Sequence, residues 1–300
     1  MKITWQNEGG PVSMKSFLSR HGISMRLIKD VKHGNGDFLV NNQAQTGVIT
    51  VAHGDSAGIE LPAEAADPLV ASSDQPIDVL AEDENWLVVA KPAGLTSVPG
   101  PSDHADTLVN RVKGYLIREQ AENLKPHLIT RLDRDTSGLV LVAKHRVAQS
   151  MLTNPAVAKS LTKTYLAWVS GVLTPASGLI QAPIGRPTDS PRRAVMATGQ
   201  AASTKYWVEQ TFGNQVTQVK LALITGRTHQ IRVHLTSLGH PLLGDELYGG
   251  DQALIQRQAL HAATLAFDDP FSGQHREFAA PLPADLAQLV TTLNKADIKK

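Results

Sequence analysis

Arg131-Leu132-Asp133-Arg134-Asp135-Thr136-Ser137-Gly138 runs without a break into Leu139-Val140-Leu141-Val142-Ala143-Lys144. The second half is a short continuous apolar run, the composition of a buried strand, and Gly138 marks the turn that leads into it. The first half crowds two carboxylates and two guanidiniums into five residues. A charged cluster at the mouth of a buried strand is a place where chemistry can be held, because the strand fixes what the cluster presents. The plainer alternative is a solvated loop with surface ion pairs, which are common and contribute little. The rest of the chain decides between them.

Three hundred residues suffice for one large domain and a small one. Apolar residues at 42% and charged residues at 19% describe an ordinary globular protein, not a disordered one. No apolar run approaches the roughly 18 residues of a membrane span. The start, Met1-Lys2-Ile3-Thr4-Trp5-Gln6-Asn7-Glu8, lacks the apolar core of a signal peptide. With no cysteine, disulfides, thiolate catalysis and cysteine-based zinc sites are all excluded. The expectation is a cytoplasmic protein, away from membranes, with no obligate protein partner implied.

The net charge of +1 hides an uneven distribution. Residues 61–110 carry one Lys against nine Asp or Glu, a net of −8. Residues 111–165 carry ten Lys or Arg against four acids, net +6, and 186–235 carry seven against two, net +5. Clustered basic charge is an electrostatic footprint for a polyanion, and the first basic segment holds the opening motif.

Residues 1–62 read as a small module. Ser13 to Arg20 spaces Met14, Phe17 and Leu18 along one helical face and stops at His21-Gly22. Ser24 is placed to cap a second helix carrying Met25, Leu27, Ile28 and Val31, ended by Gly34-Asn35-Gly36. Phe38-Leu39-Val40, Val48-Ile49-Thr50-Val51 and Gly58-Ile59-Glu60-Leu61 predict short strands, with turns at Asn41-Asn42 and His53-Gly54-Asp55. Phe17-Leu18-Ser19-Arg20, Gly22-Ile23-Ser24, Val40-Asn41 and Gly54-Asp55, in that order, resemble the S-four-type RNA-binding domain. Met25 departs from its pattern, which favours a basic residue there. Residues 63–75 are Ala, Glu, Asp, Ser and Pro without periodicity, the composition of an exposed linker. Residues 76–300 form the main domain.

In that domain Ile77-Asp78-Val79-Leu80 and Trp86-Leu87-Val88-Val89-Ala90 predict two strands, the second closed by Lys91-Pro92-Ala93-Gly94. Thr107 to Gln120 predicts a helix with Leu108, Val109, Val112, Tyr115 and Leu116 inward and Arg111, Lys113 and Arg118 outside. A second helix follows Lys144 and breaks at Asn154-Pro155. Lys163 to Val169 alternates like a strand. Ile180 to Met196 is a basic, proline-broken hairpin or loop containing Arg186, Arg192 and Arg193, and strand-like composition returns at 204–210 and 215–224. Thr225-Gly226-Arg227-Thr228-His229-Gln230-Ile231-Arg232-Val233-His234-Leu235 then predicts a helix capped by Thr228 and ending near Gly239. Its start gathers Arg227, His229 and Arg232 where a helix N-terminus favours an anion.

Arg131 through Gly138, Lys163-Thr164-Tyr165, and Thr225 through Leu235 followed by Gly239-His240-Pro241 and Gly244-Asp245 together resemble the RluA-type family of RNA pseudouridine synthases. Glu82-Asp83-Glu84, Lys91-Pro92-Ala93-Gly94 and Ala182-Pro183-Ile184-Gly185-Arg186 fit as well, so the resemblance covers nearly all of 76–285. It implies a mixed α/β (α+β) fold whose large, mainly antiparallel sheet holds a central catalytic cleft. The implied reaction isomerises a uridine within RNA. The glycosidic bond breaks, the uracil turns, and carbon 5 is joined to the sugar. RNA is the implied partner, ribosomal in preference to transfer RNA because of the N-terminal module; no cofactor and no metal are expected. By the same resemblance Asp133 is the catalytic carboxylate, Arg232 its ion-pair partner, Tyr165 the active-site tyrosine, and Arg131 the arginine that fills the space left by a flipped base. Lys163, Arg186, Arg192, Arg193, Arg227 and His229 are substrate-binding candidates, Arg192 and Arg193 as phosphate contacts.

Members of that family usually have His directly before the Arg-Leu-Asp. Here Thr130 stands there, with His127 three residues earlier, so any ordering of the loop from this position falls to the Thr130 hydroxyl. Asp135 is expected as a structural partner of Arg131 or Arg134. His229, His234 and His240 do not have metal-ligand spacing. Two other functions compete. One is an idle RNA-binding or ribosome-associated protein that keeps the fold, against which the joint presence of Asp133, Tyr165 and Arg232 argues. The other is a retaining glycosidase using Asp133 and Asp135, which needs carboxylates about 5 Å apart across a sugar.

Overall fold

Every residue of the strand Ser137–Ala143 is buried, as a continuous apolar run requires when both faces of a sheet are covered. The computed structural model describes residues 1–100, 103–155, 157–188 and 190–298, and in it this strand lies inside a ten-stranded sheet. From edge to edge the sheet runs Ser177–Gln181, Ser203–Phe212, Val216–Leu223, Thr162–Ser170, Leu260–Asp268, Ser137–Ala143, Trp86–Lys91 and Asp78–Glu82, with His275–Ala279 and His127–Leu128 as side branches. Among the described residues its pairings are antiparallel except that between Ser137–Ala143 and Leu260–Asp268. The fold is thus mixed α/β with a large, mainly antiparallel sheet.

Alternation along Ser137–Ala143 feeds two cores. Val140 and Val142 pack with Leu87 and Val89 under Leu108, Val112 and Leu116 of the helix Leu108–Arg118. Leu139, Leu141 and Ala143 face Trp86, Leu265 and Phe267 on the other side. Gly138 is needed where the motif meets the sheet: its φ is 116°, and a Cβ there would stand 2.2 Å from the Ala262 carbonyl oxygen. The helix Leu108–Arg118 begins with a Thr107/Asn110 capping box. Its Lys113 is buried, contrary to the outward position expected from spacing. The Lys113 ammonium donates to the carbonyls of Asp67 and Val70.

Those carbonyls belong to the segment read as an exposed linker. It has no helix or strand, as its composition predicts, but it is strapped to the main domain. Ser73 N–H donates to Asn110 O, Asn110 Nδ2 donates to Ala71 O, and Glu64 accepts from His127 Nε2 and from the Arg146 N–H. The N-terminal residues add a four-stranded sheet ordered Lys2–Gln6, Ser56–Glu60, Asp37–Val40, Gln43–Gln45, with helices Met14–Arg20 and Met25–Lys32 capped by Ser13 and Ser24 as their sequences predict. The strand Lys2–Gln6 lies before the segment in which elements were expected. Val147 and Met151 of the helix Arg146–Leu152 enter this module's core, and Ser24 N–H donates to Ser150 Oγ at 2.7 Å.

Candidate active site

Asp133 sits on a loop that is tied down from both sides. Leu132 exchanges two hydrogen bonds with Ser97: its N–H donates to Oγ at 3.1 Å, and Oγ donates back to its carbonyl at 2.6 Å. Thr136 N–H donates to Asp133 O and closes the turn. Lys91, almost wholly buried, donates to the carbonyls of Pro92, Leu95 and Arg134 at 2.7–2.9 Å. Burial pulls the Lys91 ammonium down to about 7, against the upward influence of Asp135 and Asp133. The Thr130 hydroxyl accepts the Leu141 N–H at 3.0 Å. The Thr130 hydroxyl thus ties the residue before the motif to the strand Ser137–Ala143.

The helix Gln230–Ser237 delivers Arg232 to the carboxylate. Arg232 Nη1 donates to Asp133 Oδ2 at 3.1 Å, ninety-nine residues away in sequence. The rest of the guanidinium is held from behind by Asp245, through Nε to Oδ2 and Nη2 to Oδ1, both at 2.8 Å. This is a bidentate fork, the strong form of such a pair. Burial works against the Arg232 charge, and Asp245 with Asp133 more than offsets it, so its pKa is raised. Thr228 does not cap the helix as expected. His229 precedes it in the left-handed region, φ 57°, and Gln230 organises the turn. Gln230 Oε1 accepts from Thr225 Oγ1 and the Arg227 N–H, while its Nε2 donates to Ser203 O and Thr204 Oγ1. A side chain with both donors and acceptors replaces the simple hydroxyl cap.

Asp133, Tyr165, Arg232, Arg131, Lys163, Arg227 and His229 line one cleft of about 420 Å³, within the roughly 300–1,000 Å³ common for small-ligand sites. A register shift at Thr164/Tyr165 against the strand Leu260–Asp268 falls where the tyrosine is aimed. Burial, with the Asp133 charge adding to it, pushes the Tyr165 hydroxyl up, so it stays a neutral phenol. Burial likewise lowers Lys163, which has no acidic partner among the described residues. Arg131 is exposed at the mouth and also unpaired among the described residues. Arg186, Arg193 and Arg227 line a second depression of about 370 Å³, which shares Arg227 and Thr228 with the first. Arg192 lines neither and lies exposed on the hairpin.

Asp133 is the single carboxylate among the residues lining the cleft, against five cations, Arg131, Arg134, Lys163, Arg227 and Arg232. Asp135 pairs with Arg134 at 3.0 Å and lies outside it, which leaves no second acid for a glycosidase. The three histidines diverge: His229 to Tyr248, His234 to Thr204 and Ala182, His240 to Ser170. Part of the basic charge of the first segment is matched within the chain. Arg111 pairs with Asp106, Arg118 with Asp74, and Lys144 with Glu82, all from the acidic segment before it. Among the described residues, the basic charge left unpaired around the cleft is that of Arg131, Lys163, Arg186, Arg192, Arg193 and Arg227. Sequence reasoning gave no role to Asp245, Tyr248, Lys91 or Gln230. Gly244-Asp245 and Lys91-Pro92-Ala93-Gly94 were visible as motifs, but not what they held.

Residues 85–237 match the family described as RNA pseudouridylate synthase. The chain is 39% identical over 282 residues to an uncharacterized RNA pseudouridine synthase, YjbO, of Bacillus subtilis, an alignment covering 93% of this chain and 98% of that protein. It is 35% identical over 298 residues to the ribosomal large subunit pseudouridine synthase D of Haemophilus ducreyi, covering 94% and 88%. Among solved structures, human RNA pseudouridylate synthase domain containing 1 superposes with a TM-score of 0.57 at 26% identity, covering 74% of this chain and 96% of that one.

Proposed function

The chain belongs to the family of RNA pseudouridylate synthases, and from that membership we propose that its targets are uridines of large-subunit ribosomal RNA and that Asp133 is the catalytic carboxylate. The enzyme is an isomerase. The bond from the ribose anomeric carbon to N1 breaks, the uracil turns, carbon 5 bonds to the anomeric carbon, and the hydrogen on carbon 5 leaves to water. One observation carries the assignment of Asp133: it is the single acid lining a cationic cleft, with Arg232 at 3.1 Å. A carboxylate so placed attacks the anomeric carbon or removes a proton from the sugar. Tyr165, a neutral phenol among buried side chains, offers a ring face to an extruded uracil and a hydroxyl for the proton leaving carbon 5. Arg131, exposed at the mouth, is placed to occupy the gap in the RNA stack. Lys163, Arg186, Arg192, Arg193, Arg227 and His229 hold the strand.

The ribosomal target is supported by the Haemophilus ducreyi relative, named for the large ribosomal subunit and aligned over 94% of this chain. We assign the N-terminal module, residues 1–62, to RNA binding in the same reading. Its second helix exposes Arg26, Lys29 and Lys32 at three-residue intervals, none in an ion pair among the described residues. A cytoplasmic setting belongs to the same proposal; no described helix is long and apolar enough to cross a membrane. The test uses large-subunit ribosomal RNA and transfer RNA carrying tritium at carbon 5 of uracil. Release from the ribosomal RNA alone is expected. Release from transfer RNA alone would replace the target, and release from neither would remove the proposal.

A further inference from the structure

Tyr248 has no part in the chemistry described above, yet the basic hairpin and the cleft meet at it. Its hydroxyl accepts the backbone N–H of Arg193 at 2.8 Å and stands 2.9 Å from His229 Nδ1. Its ring lies beneath the Arg232 guanidinium, 4.9 Å from carbon to centroid, and meets the His229 ring edge-on at 5.8 Å. Asp245, which forks Arg232, lies three residues before Tyr248, at the start of the short turn Glu246–Tyr248. At three residues per turn that spacing puts both side chains on one side. A single turn therefore grips Arg232 by its edge and its face.

The hydrogen-bond inventory favours one tautomer of the histidine. A phenol oxygen that already accepts the Arg193 N–H still has its own hydrogen to give, and His229 Nδ1 is the acceptor in reach. His229 then carries its ring proton on Nε2, the nitrogen 3.9 Å from Asp133 Oδ2. That distance is too long for a hydrogen bond, so the N–H is directed beside the carboxylate, where a nucleotide enters. Burial, the largest influence on this ring, favours its neutral form. The backbone of His229 is left-handed, a conformation uncommon for non-glycine residues though His adopts it more readily than most.

Resting on the reading of the cleft as the uridine site, we infer that Tyr248 is a positioning residue. It sets His229 as an Nε2–H donor to an oxygen of the target nucleotide and locks that donor to the hairpin bearing Arg186, Arg192 and Arg193. RNA seated on the hairpin then finds the cleft already aligned.

The test is a double-mutant cycle read in single-turnover tritium release with enzyme in saturating excess over RNA. Tyr248→Phe keeps the ring under Arg232 and removes only the hydroxyl. It should slow the reaction roughly tenfold while leaving RNA affinity within about twofold and Tm near that of the parent. On a His229→Ala background the same change should have no further effect. His229→Asn tolerates the left-handed backbone, accepts from Tyr248 and still offers an N–H, so it should retain more activity than His229→Ala. Equal losses from Tyr248→Phe in both backgrounds, a loss confined to affinity, or an Asn variant no better than Ala would overturn the inference. If the parent enzyme releases no tritium, the uridine reading fails instead, and the two failures are distinct.

Discussion

Two aspartates share one guanidinium at Arg232, and the sharing sets what each can do. Asp245 is 1% exposed and takes two of the donors; Asp133 is 26% exposed and takes one. The buried aspartate anchors and the open one is left facing the cleft. Asp245→Ala should therefore cost about 3–5 kcal/mol of stability, because it leaves a buried guanidinium without its principal partner. Urea unfolding measures that, and a change below 1 kcal/mol would mean the fork is solvated in practice. Asp133 was legible in the sequence because its neighbours form a recognisable cluster. Asp245 was visible only as half of a Gly-Asp motif, since nothing in a thirteen-residue separation reveals a fork. Thr130 was legible in part: the sequence raised the question of its hydroxyl, and the Leu141 N–H is the partner it finds.

The motif strand fails or succeeds as an element on one glycine. Gly138→Ala would put a Cβ 2.2 Å from a carbonyl oxygen at a positive φ. It should destabilise the protein by at least about 2 kcal/mol, read as a lower urea midpoint at unchanged slope; a neutral substitution would show that the two strands separate easily. Most strands and helices were legible because apolar periodicity survives burial. The exceptions are physical. Lys113 falls on an outward position by spacing, yet carbonyls of the strap supply its acceptors. Thr228 has the chemistry of a cap, but Gln230 satisfies more of the turn, and the helix starts after it. Long-range hydrogen bonds decided the first, and at Gln230 bonds to Ser203 and Thr204 add to the local ones; local sequence does not contain those distant partners.

The whole molecule cancels charge where the sequence shows excess. Arg111, Arg118 and Lys144 are matched by Asp106, Asp74 and Glu82, so they add little to the field at the cleft. Salt titration of RNA binding should then separate two classes. Arg227→Gln should shallow the log–log slope by about 0.7–0.9, whereas Arg111→Gln should leave it unchanged; equal effects would contradict the cancellation. Acid stability follows from histidines buried neutral. Burial lowers His145 to about 4, and its Nδ1 accepts the Ala148 N–H, which only the neutral ring can do. Burial also lowers His234 and His261. The unfolded chain binds these protons near pH 6.5 and the fold resists them, so the stability these histidines contribute is full above about pH 6.5 and is lost as pH drops toward 4. His145 alone accounts for a loss on the order of 3 kcal/mol. Denaturant melts at pH 7 and pH 5 should show the drop, and equal stability would place charged histidines in the fold.

Everything proposed about function meets at one carboxylate. The direct measurement is tritium release from carbon-5-labelled large-subunit ribosomal RNA by the parent protein and by Asp133→Asn, with RNA binding measured on both. Stoichiometric release by the parent, none by the variant, and closely similar binding is the predicted result. Release by Asp133→Asn at the parent's rate would contradict the assignment.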